Sequence, residues 1–531
     1  QGQVLLNGIP VASQVGHKSA YVYQQDLFVG TLTVSEHLHF MAKLKLHRNT
    51  SKKEIKDLLE RVINELGLNN CEHTRIGIPG QIQGISGGER KRLAFASEIL
   101  TDPPLLFCDE PTTGLDSFSA QNLVEMMQKL ASRGKTIICT IHQPSSQVFT
   151  MFDQLLLLAE GRTAYLGKAN EAPAFFQSVN LNCPDQYNPA DFYVRTLAVY
   201  PGKEESSRAQ IGRICDTFAS TPAAKKLESE ISEQLGQASH KRLYKNGKLP
   251  PLWTTQLLWL TWRAFINSYR DPKVHVVRTV QKVIMALLLG VCYLGVKLNQ
   301  MGIQDIQGAV FIFITENTFP SLYGVLFVFP KQLPLFLREN KAGLYRSDTY
   351  YISTMISLLP GFIFEPLIFS SIAYWMIGLR PTAEAFFLTC MVVILTANVS
   401  AACGCFFSAA FEDVTIAVTC LLPIDYLLKI TGGLFVNIGS LSPSVAWINF
   451  VSWFMYANEV LTVTQWDNVT DISCVGAPAS LCIPDGQGVI ESRSFSETYM
   501  FRDFSGLISL YFAFHAAAYT AIFFRSRRNS K

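Results

Sequence analysis

Two acidic residues follow a short apolar run in the first half of this chain. The run Leu105 to Cys108 has the length and composition of a buried parallel strand, and Asp109 and Glu110 come directly after it. Two carboxylates at such a position suit a Mg²⁺-phosphate site, one for the metal and one for water. A second predicted strand ends just before His142, where ligand sites of α/β sheets lie. The pattern predicts phosphate chemistry, with solvated acids after a strand as the plainer alternative.

A glycine turn precedes a predicted helix upstream of these acids. Ser86, Gly87 and Gly88 form the turn, and the helix is predicted over 89–100. A helix N-terminus presents free N–H groups and a partial positive charge, and glycine lets the backbone approach an anion closely. Taken alone, such a turn is more often a purely structural cap, so the neighbouring motifs decide its meaning.

The order of these motifs resembles the ATPase domain of ABC transporters. In that family a Ser-Gly-Gly-Glu-Arg run, an apolar strand with Asp-Glu, a Gly-Leu-Asp run and a strand with a histidine follow one another, as they do here. The resemblance implies that Asp109 holds Mg²⁺ through water, that Glu110 polarises the attacking water and that His142 contacts the γ-phosphate. It also implies ATP and Mg²⁺ as cofactors.

The same resemblance assigns the other residues of a nucleotide site. Gln24 matches the glutamine of the family's lid and would also reach Mg²⁺, with Gln25 as the neighbouring alternative. Asp116 would lie at the contact between two ATPase domains. Because family sites form between two such domains, a second subunit is part of the expected chemistry. The residues that would close over a nucleotide held by the partner domain are Ser86, Gly87, Gly88 and Glu89.

One ATPase motif does not occur in the 531 residues. This motif is the loop G-x-x-x-x-G-K-[ST], whose backbone amides and lysine hold the phosphates. This chain begins in a predicted strand that ends in a turn at Asn7 and Gly8. In the family, the phosphate-binding loop lies some tens of residues before the equivalent strand. We therefore expect an N-terminal truncation, with a degenerate ATPase as the rival explanation.

The elements that would position these residues fall into two halves of different composition. Residues 1–200 are predicted to form an α/β ABC-type nucleotide-binding domain with the P-loop NTPase fold, and 201–252 a linker. Residues 253–272 are predicted as an amphipathic helix along the membrane surface, with a helix packed on the ATPase domain as the alternative. Residues 273–531 are predicted as an all-α six-span transmembrane domain. The net charge of only +3 gives no indication of a nucleic-acid partner.

Six apolar stretches have the length of a membrane span, and basic residues set their orientation. Arg278 and Lys282 belong to a basic group that enters the first span; further groups lie between spans two and three and after span six. The positive-inside tendency places all three groups on the cytosolic side. The predicted spans are 276–297, 308–330, 352–377, 385–410, 414–436 and 504–524.

A seventh apolar stretch, 445–466, does not fit this count. If it crossed the membrane, the basic C-terminal tail would lie outside. The stretch also contains Asn449, Asn458 and Glu459, which are costly in lipid. We therefore predict that it is re-entrant or packed on the outer face, as the family resemblance also implies.

The large extracytosolic loop predicted over 437–503 carries two marks of a lumenal or extracellular compartment. Asn468 begins an Asn-Val-Thr sequon, which predicts N-glycosylation. Cys474 and Cys482 are the two cysteines of this loop among the 12 in the chain, which makes a local disulfide plausible. A second sequon at Asn398 lies inside a predicted span and should be unused.

Polar residues within the predicted spans are candidates for the transport path. Asp425 and Lys429 are spaced i, i+4 in span five, so they can pair on one helix face. A self-neutralised pair without a role in transport is the plainer alternative. In the family, spans two and five line the central substrate cavity, which adds Asn317 and Phe319 as candidates. Glu316, in the same span, is a further intramembrane acid.

The order of the two halves indicates a subfamily. An ATPase domain that precedes the membrane domain, and the run Asn188 to Phe192, are similar to the White-like half-transporters of subfamily G. The resemblance implies a second half-transporter as partner, with a heterodimer favoured and a homodimer as the alternative. It implies a membrane-lipid environment and small-molecule cargo: guanine-, pteridine- and tryptophan-derived pigment precursors. The expected location is the membrane of a pigment granule or other intracellular vesicle, with the ATPase domain in the cytosol.

Two other functions stay open. One is a sterol, lipid or xenobiotic exporter of the same subfamily, acting at the plasma membrane. The other is a catalytically silent, regulatory half-transporter. The charges at Asp425 and Lys429 depart from the pattern expected in span five, which leaves the cargo in doubt.

Overall fold

A computed structural model describes residues 5–6, 9–10, 19–184, 186–237, 250–474 and 482–528. The chain divides into two compact units, Gln1–Leu252 and Trp253–Lys531. The first unit mixes strands and helices, and the described part of the second consists of helices and their connections. The division thus follows the change in composition along the chain.

A small parallel sheet lies at the centre of the first unit. The described residues of the first unit form seven strands: β1 (Leu5–Leu6), β2 (Ile9–Pro10), β3 (Ser19–Val22), β4 (Leu105–Asp109), β5 (Thr136–Thr140), β6 (Gln154–Ala159) and β7 (Arg162–Lys168). Strands β3, β4 and β5 are parallel neighbours in that order. The pairs β1–β2 and β6–β7 are antiparallel. Because β3, β4 and β5 run in the same direction, their carboxyl ends lie at one edge of the sheet.

Helices connect the strands of the first unit, and polar caps begin several of them. Thr33, Ser51 and Ser86 each cap a helix through a reciprocal bond with a glutamate three residues later. Short 3₁₀ turns occupy Asn69–Cys71 and Ala169–Glu171. The helices are α1 (Val34–Lys45), α2 (Lys52–Glu65), α3 (Gly87–Ile99), α4 (Ser117–Ser132), α5 (Ser146–Phe149), α6 (Ala172–Ser178), α7 (Pro189–Thr196), α8 (Glu204–Ser220) and α9 (Pro222–Gln237).

Helix α8 lies in the stretch predicted as a linker, yet it belongs to the core of the first unit. Its buried residues Ile214 and Phe218 share a hydrophobic cluster with Tyr165 of β7 and Phe176 of α6. The ring of Phe218 lies 5.9 Å from that of Tyr165. Because this apolar face needs the hairpin to cover it, the first unit extends beyond residue 200.

The second unit consists of long helices joined by short turns and one large loop. Short 3₁₀ turns occupy Ile438–Ser440, Trp447–Val451 and Glu497–Tyr499. The helices are α10 (Trp253–Arg270), α11 (Lys273–Cys292), α12 (Gln300–Gly324), α13 (Val328–Lys341), α14 (Ser347–Ile377), α15 (Ala383–Ala410), α16 (Val414–Ile430), α17 (Pro443–Ala446), α18 (Trp453–Trp466), α19 (Gly486–Ser492) and α20 (Met500–Arg528).

Five helical stretches of the described chain are long and apolar enough to cross a membrane. They correspond to predicted spans one, two, three, four and six. The fifth predicted span, 414–436, instead contains α16, a helix of 17 residues. At 1.5 Å per residue this helix is about 26 Å long, slightly short of a hydrocarbon core of roughly 30 Å. The five stretches are His275–Cys292, Gln300–Lys341, Ser347–Ile377, Ala383–Ala410 and Glu497–Arg528.

The seventh apolar stretch forms α18, whose 14 residues are all buried inside the second unit. About 21 Å of helix is too short to span the bilayer core. Its polar side chains have protein partners: Asn458 Nδ2 donates to the carbonyl of Gly432 at 2.9 Å, and Glu459 accepts from the backbone N–H of Ser496 at 3.0 Å and from Arg502. These contacts remove the cost of placing amide and carboxylate groups at this depth.

A buried ion pair joins the helix predicted at the membrane surface to the rest of the second unit. Arg263 of α10 donates to both carboxylate oxygens of Glu339 in α13, at 2.8 and 2.9 Å. Arg263 is 8% exposed and Glu339 4%. The hydroxyl of Tyr345 also donates to Glu339, so three segments meet at one carboxylate. On its other side α10 leaves Leu258 and Phe265 exposed, as an amphipathic helix does.

We expect Arg263→Met to destabilise the membrane unit strongly. Losing the guanidinium leaves the buried Glu339 without its main counter-charge, a change that costs about 3–5 kcal/mol. Thermal melting of the detergent-purified protein measures the effect. Arg346→Met is the matched control, because Arg346 pairs with Asp348 at 2.8 Å with its side chain 69% exposed. Equal melting temperatures for the two variants would contradict the assigned importance of the buried pair.

Candidate nucleotide and transport sites

The carboxyl edge of the parallel sheet gathers the predicted catalytic residues. Gln24 follows β3 by two residues, Glu110 follows β4 directly, and His142 follows β5 by two residues. Asp109 is the last residue of β4 and lies opposite Thr140 of β5. His142 is exposed at this edge, and Asp109 and Glu110 are partly exposed. The sheet topology thus positions four predicted site residues where α/β proteins bind ligands.

Hydrogen bonds hold the two carboxylates in distinct settings. The side-chain amide of Gln24 donates from Nε2 to Glu110 Oε2 at 2.7 Å, and the Thr113 hydroxyl donates to the same oxygen at 2.9 Å. The Thr140 hydroxyl donates to Asp109 Oδ1 at 2.9 Å and accepts from the Glu110 N–H at 2.9 Å. Gln24 and the two acids therefore form one connected network.

The backbone at two of these strand exits is in the left-handed region. Glu110 has φ 43°, and Gln143, next to His142, has φ 45°. A non-glycine residue in this region costs on the order of 1–3 kcal/mol, and such residues cluster at functional sites. The conformation turns the chain sharply after each strand and keeps the next side chains at the sheet edge. Neither outlier was signalled by the sequence.

The glycine turn and Asp116 form a second group at two neighbouring helix N-termini. Ser86 caps α3, and its hydroxyl donates to Glu89 Oε2 at 2.8 Å. Asp116 caps α4 by accepting from the N–H of Ser119 at 2.9 Å. A Cβ on Gly88 would lie 3.4 Å from the Ser119 hydroxyl, so the two helix starts approach closely. Their free N–H groups suit a phosphate.

Cap hydrogen bonds favour the ionised form of both acids in this group. At Asp116 the bond from the Ser119 N–H lowers the pKa below its ordinary value. At Glu89 burial would raise the pKa, but bonds from the backbone and hydroxyl of Ser86 outweigh it and lower the pKa. The caps therefore contribute stability above the unfolded pKa of each acid, and that contribution is lost as the pH falls through the folded value.

A buried lysine holds the backbone of Gln24. Lys91 of α3 is 4% exposed; its Nζ donates to the carbonyl of Gln24 at 2.6 Å and lies 3.2 Å from Asp26 Oδ2. Sequence reasoning missed this residue, because a lysine in a charged helix start is normally solvated. It also missed Thr113 and Thr140, since hydroxyl residues near a strand give no distinctive signal.

In the membrane unit, three of the four predicted cavity residues come together. Lys429 Nζ lies 2.7 Å from Asp425 Oδ2 on α16 and 4.0 Å from the ring centroid of Phe319 on α12. It also lies 5.7 Å from the Phe454 ring. Phe319 is 43% exposed, whereas Asp425 is buried. The expected i, i+4 pair forms, and an aromatic face that the sequence did not associate with it completes the cluster.

Asn317, the fourth predicted cavity residue, lies away from this cluster. It is 1% exposed, and its Nδ2 donates to the carbonyl of Phe313 at 2.7 Å within α12. Its Oδ1 faces Lys282 of α11 at 3.4 Å. The side chain therefore belongs to the packing between helices in this chain, not to the exposed face that carries Phe319.

The large loop places its candidate modification residues as the sequence suggested. Cys474 and Cys482 are joined in a disulfide. Asn468 is exposed in the turn after α18, with φ 57°. Asn398 is buried in α15, where its Nδ2 donates to the carbonyl of Ile394 at 2.8 Å. Residues 475–481 of the predicted loop lie outside the described residues.

Comparison with known families defines the class of protein. Residues 1–113 match the family described as ABC transporter, and residues 255–466 match the family ABC-2 type transporter. Residues 142–215 match a further family with the description ABC-2 type transporter. An ATP-binding domain followed by an ABC-2 membrane domain is the architecture of an ABC transporter that hydrolyses ATP.

Individual relatives narrow this class. Protein scarlet of Drosophila melanogaster is 44% identical, over 99% of this chain and 80% of its own length. Protein white of the same species is 43% identical, over 99% of this chain and 77% of its own length. A broad substrate specificity ATP-binding cassette transporter of Bos taurus is 34% identical, over 87% of this chain and 73% of its own length. The chain belongs to the subfamily G half-transporters of the ABC family, which transport substrates across membranes as dimers.

We expect Lys91→Met to impair hydrolysis by loosening the Gln24 segment. The change removes the ammonium that holds the Gln24 carbonyl and faces Asp26. Because one misplaced catalytic contact commonly costs tenfold or more in rate, we expect ATP turnover to fall about tenfold. ATP turnover of the complete transporter at varied Mg²⁺ measures it, with a higher Mg²⁺ requirement expected. The control is Lys56→Met, because Lys56 makes an exposed pair with Glu60. Wild-type turnover in the Lys91 variant would refute this support role.

Proposed function

We propose that this chain is one half of an ATP-driven transporter of small aromatic pigment precursors, of the guanine-, pteridine- and tryptophan-derived class. The observation that carries the proposal is its similarity, over 99% of the chain, to protein scarlet and protein white of Drosophila melanogaster. We further propose that the transporter works in the membrane of a pigment granule or related vesicle, with the ATPase unit in the cytosol.

We assign the catalytic roles to the residues at the sheet edge. Glu110 polarises the attacking water, and His142 contacts the γ-phosphate. The hydrogen bonds from Gln24 and Thr113 hold the Glu110 carboxylate in place for this role. Ser86, Gly87, Gly88 and Glu89 present the N-terminus of α3 to a nucleotide on the partner domain, and Asp116 lies at that contact.

The donor set at the sheet edge fits Mg²⁺, which prefers oxygen ligands. Gln24 uses its amide nitrogen toward Glu110, and so keeps its oxygen for a metal. The Asp109 carboxylate accepts from the Thr140 hydroxyl and also from the Tyr21 hydroxyl, and these bonds would orient it toward a metal-bound water. Bound there, Mg²⁺ would neutralise phosphate charge during transfer.

We propose that the partner is a second, different half-transporter, and that a homodimer is the alternative. The turn at Ser86 serves a nucleotide held by the facing domain, so a site needs two ATPase domains. The similarity of this chain, over 99% of its length, to two different proteins of one species, scarlet and white, supports pairing between different chains.

We propose that Phe319 and Lys429 contact the cargo, and that the buried Asp425 holds the Lys429 ammonium in place. A half-exposed aromatic ring offers a stacking face to a planar heterocycle. The Lys429 ammonium beside it offers a donor to polar substituents. Asn317 acts on this site only through the position of α12, because its side chain is buried.

ATP-dependent uptake into vesicles tests the function. The complete half-transporter is reconstituted with a second half-transporter whose own catalytic acid has been replaced, so that only this chain's site turns over. We expect uptake of radiolabelled guanine or tryptophan, and a loss of at least about 100-fold in ATP turnover for Glu110→Gln, because general-base groups contribute that much. Glu60→Gln, on an exposed face of α2, is the control.

The outcomes separate the candidate functions. Uptake of a sterol without uptake of guanine or tryptophan would replace the pigment-precursor proposal with that of a lipid exporter. Uptake of chemically unrelated drugs would favour a broad cargo range, as in the name of the Bos taurus relative. Equal turnover of the Glu110 variant and the wild type would refute the role of Glu110.

Glycosylation tests the proposed orientation. We expect membrane-expressed protein to shift in mobility after glycosidase treatment and Asn468→Gln to abolish that shift, because Asn468 is exposed in a loop assigned to the lumen. Asn398→Gln is the matched control, since its sequon is buried in α15. A shift that persists in the Asn468 variant would show that another site is used.

A further inference from the structure

A proline interrupts the hydrogen bonds of α12 close to the proposed cargo site. The helix runs from Gln300 to Gly324, and Pro320 lies inside it. Proline has no N–H, so the carbonyl oxygen four residues earlier, on Glu316, loses its helical donor. In the membrane interior no water replaces that donor, so a neighbouring group must supply it.

Lys282 of α11 supplies this donor. Its Nζ hydrogen-bonds to the carbonyl of Glu316 and lies 3.4 Å from Asn317 Oδ1. The Glu316 carboxylate is 3.7 Å away and balances the charge. Lys282 is 3% exposed, and its ammonium lies 5.5 Å from the ring centroid of Phe369. One buried cation therefore meets the break in α12 at three oxygen atoms.

Two serine hydroxyls also donate to carbonyls in the same turn of α12. Ser400 of α15 donates to the carbonyl of Thr318 at 3.2 Å. Ser321 donates to the carbonyl of Asn317 at 2.8 Å. The carbonyls of three consecutive residues thus receive side-chain donors, and only the first of them has lost its backbone partner to Pro320. This makes Lys282 the contact that the proline requires.

A second proline shows the same arrangement with a neutral donor. Pro366 lies inside α14, and the carbonyl that it deprives of a partner belongs to Phe362. Asn398 of α15 donates its Nδ2 to that carbonyl at 3.3 Å. At both Pro320 and Pro366, therefore, a side chain from a neighbouring helix donates a hydrogen bond to the carbonyl that the proline leaves without a helical donor. The pair Pro366–Asn398 also provides a matched control.

We propose that Lys282 is a positioning residue of the transport path: by donating to the carbonyl that Pro320 frees, it stabilises the interrupted turn of α12 and thereby the place of Phe319. Phe319 is the residue next to the proline and faces Lys429 on α16. The part that concerns cargo rests on the proposed function, whereas the contact between Lys282 and the proline break does not. A plain ion pair between Lys282 and Glu316 is the competing explanation.

A double-substitution cycle on thermal melting tests the contact without any cargo. In the complete, purified transporter, Lys282→Met should lower the melting temperature. Pro320→Ala restores the N–H that Glu316 needs, so Lys282→Met should lower melting much less in that background. Pro366→Ala restores an N–H elsewhere and should not rescue Lys282→Met, although it should rescue Asn398→Leu.

Transport kinetics test the positioning role, with radiolabelled guanine and tryptophan as probes. We expect Lys282→Met to raise the KM for uptake about tenfold, the size expected from leaving one buried acceptor unpaired, with a much smaller change in maximal rate per folded transporter. Lys282→Arg, which keeps a charged donor, should retain a KM near that of the wild type. Lys282→Met with Pro320→Ala should recover most of the lost affinity.

The outcomes distinguish the two explanations and the two proposals. Rescue of Lys282→Met by Glu316→Gln, together with no rescue by Pro320→Ala, would overturn the proposal in favour of a plain ion pair. A fall in maximal rate with unchanged KM would overturn the positioning role. If the wild type takes up neither probe, the proposed cargo fails, and the melting cycle still decides whether Lys282 serves the proline break.

Discussion

Backbone groups that lose their regular hydrogen-bond partners lie at two places where we propose that this chain binds a phosphate or cargo. At the starts of α3 and α4 the N–H groups of the first helical turn lack helical acceptors, and Ser86 and Asp116 satisfy only part of them. The remaining N–H groups are of the kind that binds a phosphate, as we propose here. In α12 the unpaired group is a carbonyl, freed by Pro320 and held by Lys282. Other helices also begin with capped N–H groups, and Pro366 frees a carbonyl in α14, so the groups around α3, α4 and Pro320 distinguish these positions from the other ends and breaks.

The same constraint explains why the catalytic network could be predicted in outline but not in detail. A strand of apolar residues followed by two acids is readable because burial and charge change abruptly at Asp109. The parallel order of β3, β4 and β5 then brings Gln24 and Glu110 together across 86 positions of sequence. The roles of Thr140 and Lys91 depend on distances between elements, which residue type and spacing do not encode. The packing of α8 on the first unit could not be predicted for a similar reason, because the partner of its apolar face, the β6–β7 hairpin, is not evident from the sequence of α8 alone.

In the membrane unit, hydropathy predicts where helices lie, whereas polar contacts decide what they do. The pair of Asp425 and Lys429 follows from helical periodicity, and the structure adds the Phe319 ring on a different helix. The short helix α18 shows the converse: its apolar composition suggests a span, but its length and its partners for Asn458 and Glu459 place it inside the protein. Asn317 shows the limit of reasoning from family position alone. Its neighbour two residues on is half-exposed, yet the helix turns Asn317 itself toward Lys282.

Lys282 is both a basic residue near the start of the first span and the donor to the carbonyl that Pro320 frees in α12. As one of a group of basic residues at the start of the first span, it contributes to the inside-positive bias that orients the chain. As a cation deeper than its neighbours, it needs oxygen atoms within the protein, and α12 offers one that is vacant because of Pro320. The carbonyl and the ammonium each carry a large cost if left alone, and together they remove it. A lysine of the basic group that predicts the orientation therefore also binds the turn of α12 that Pro320 interrupts, and Pro320 is one residue from the ring that faces Lys429.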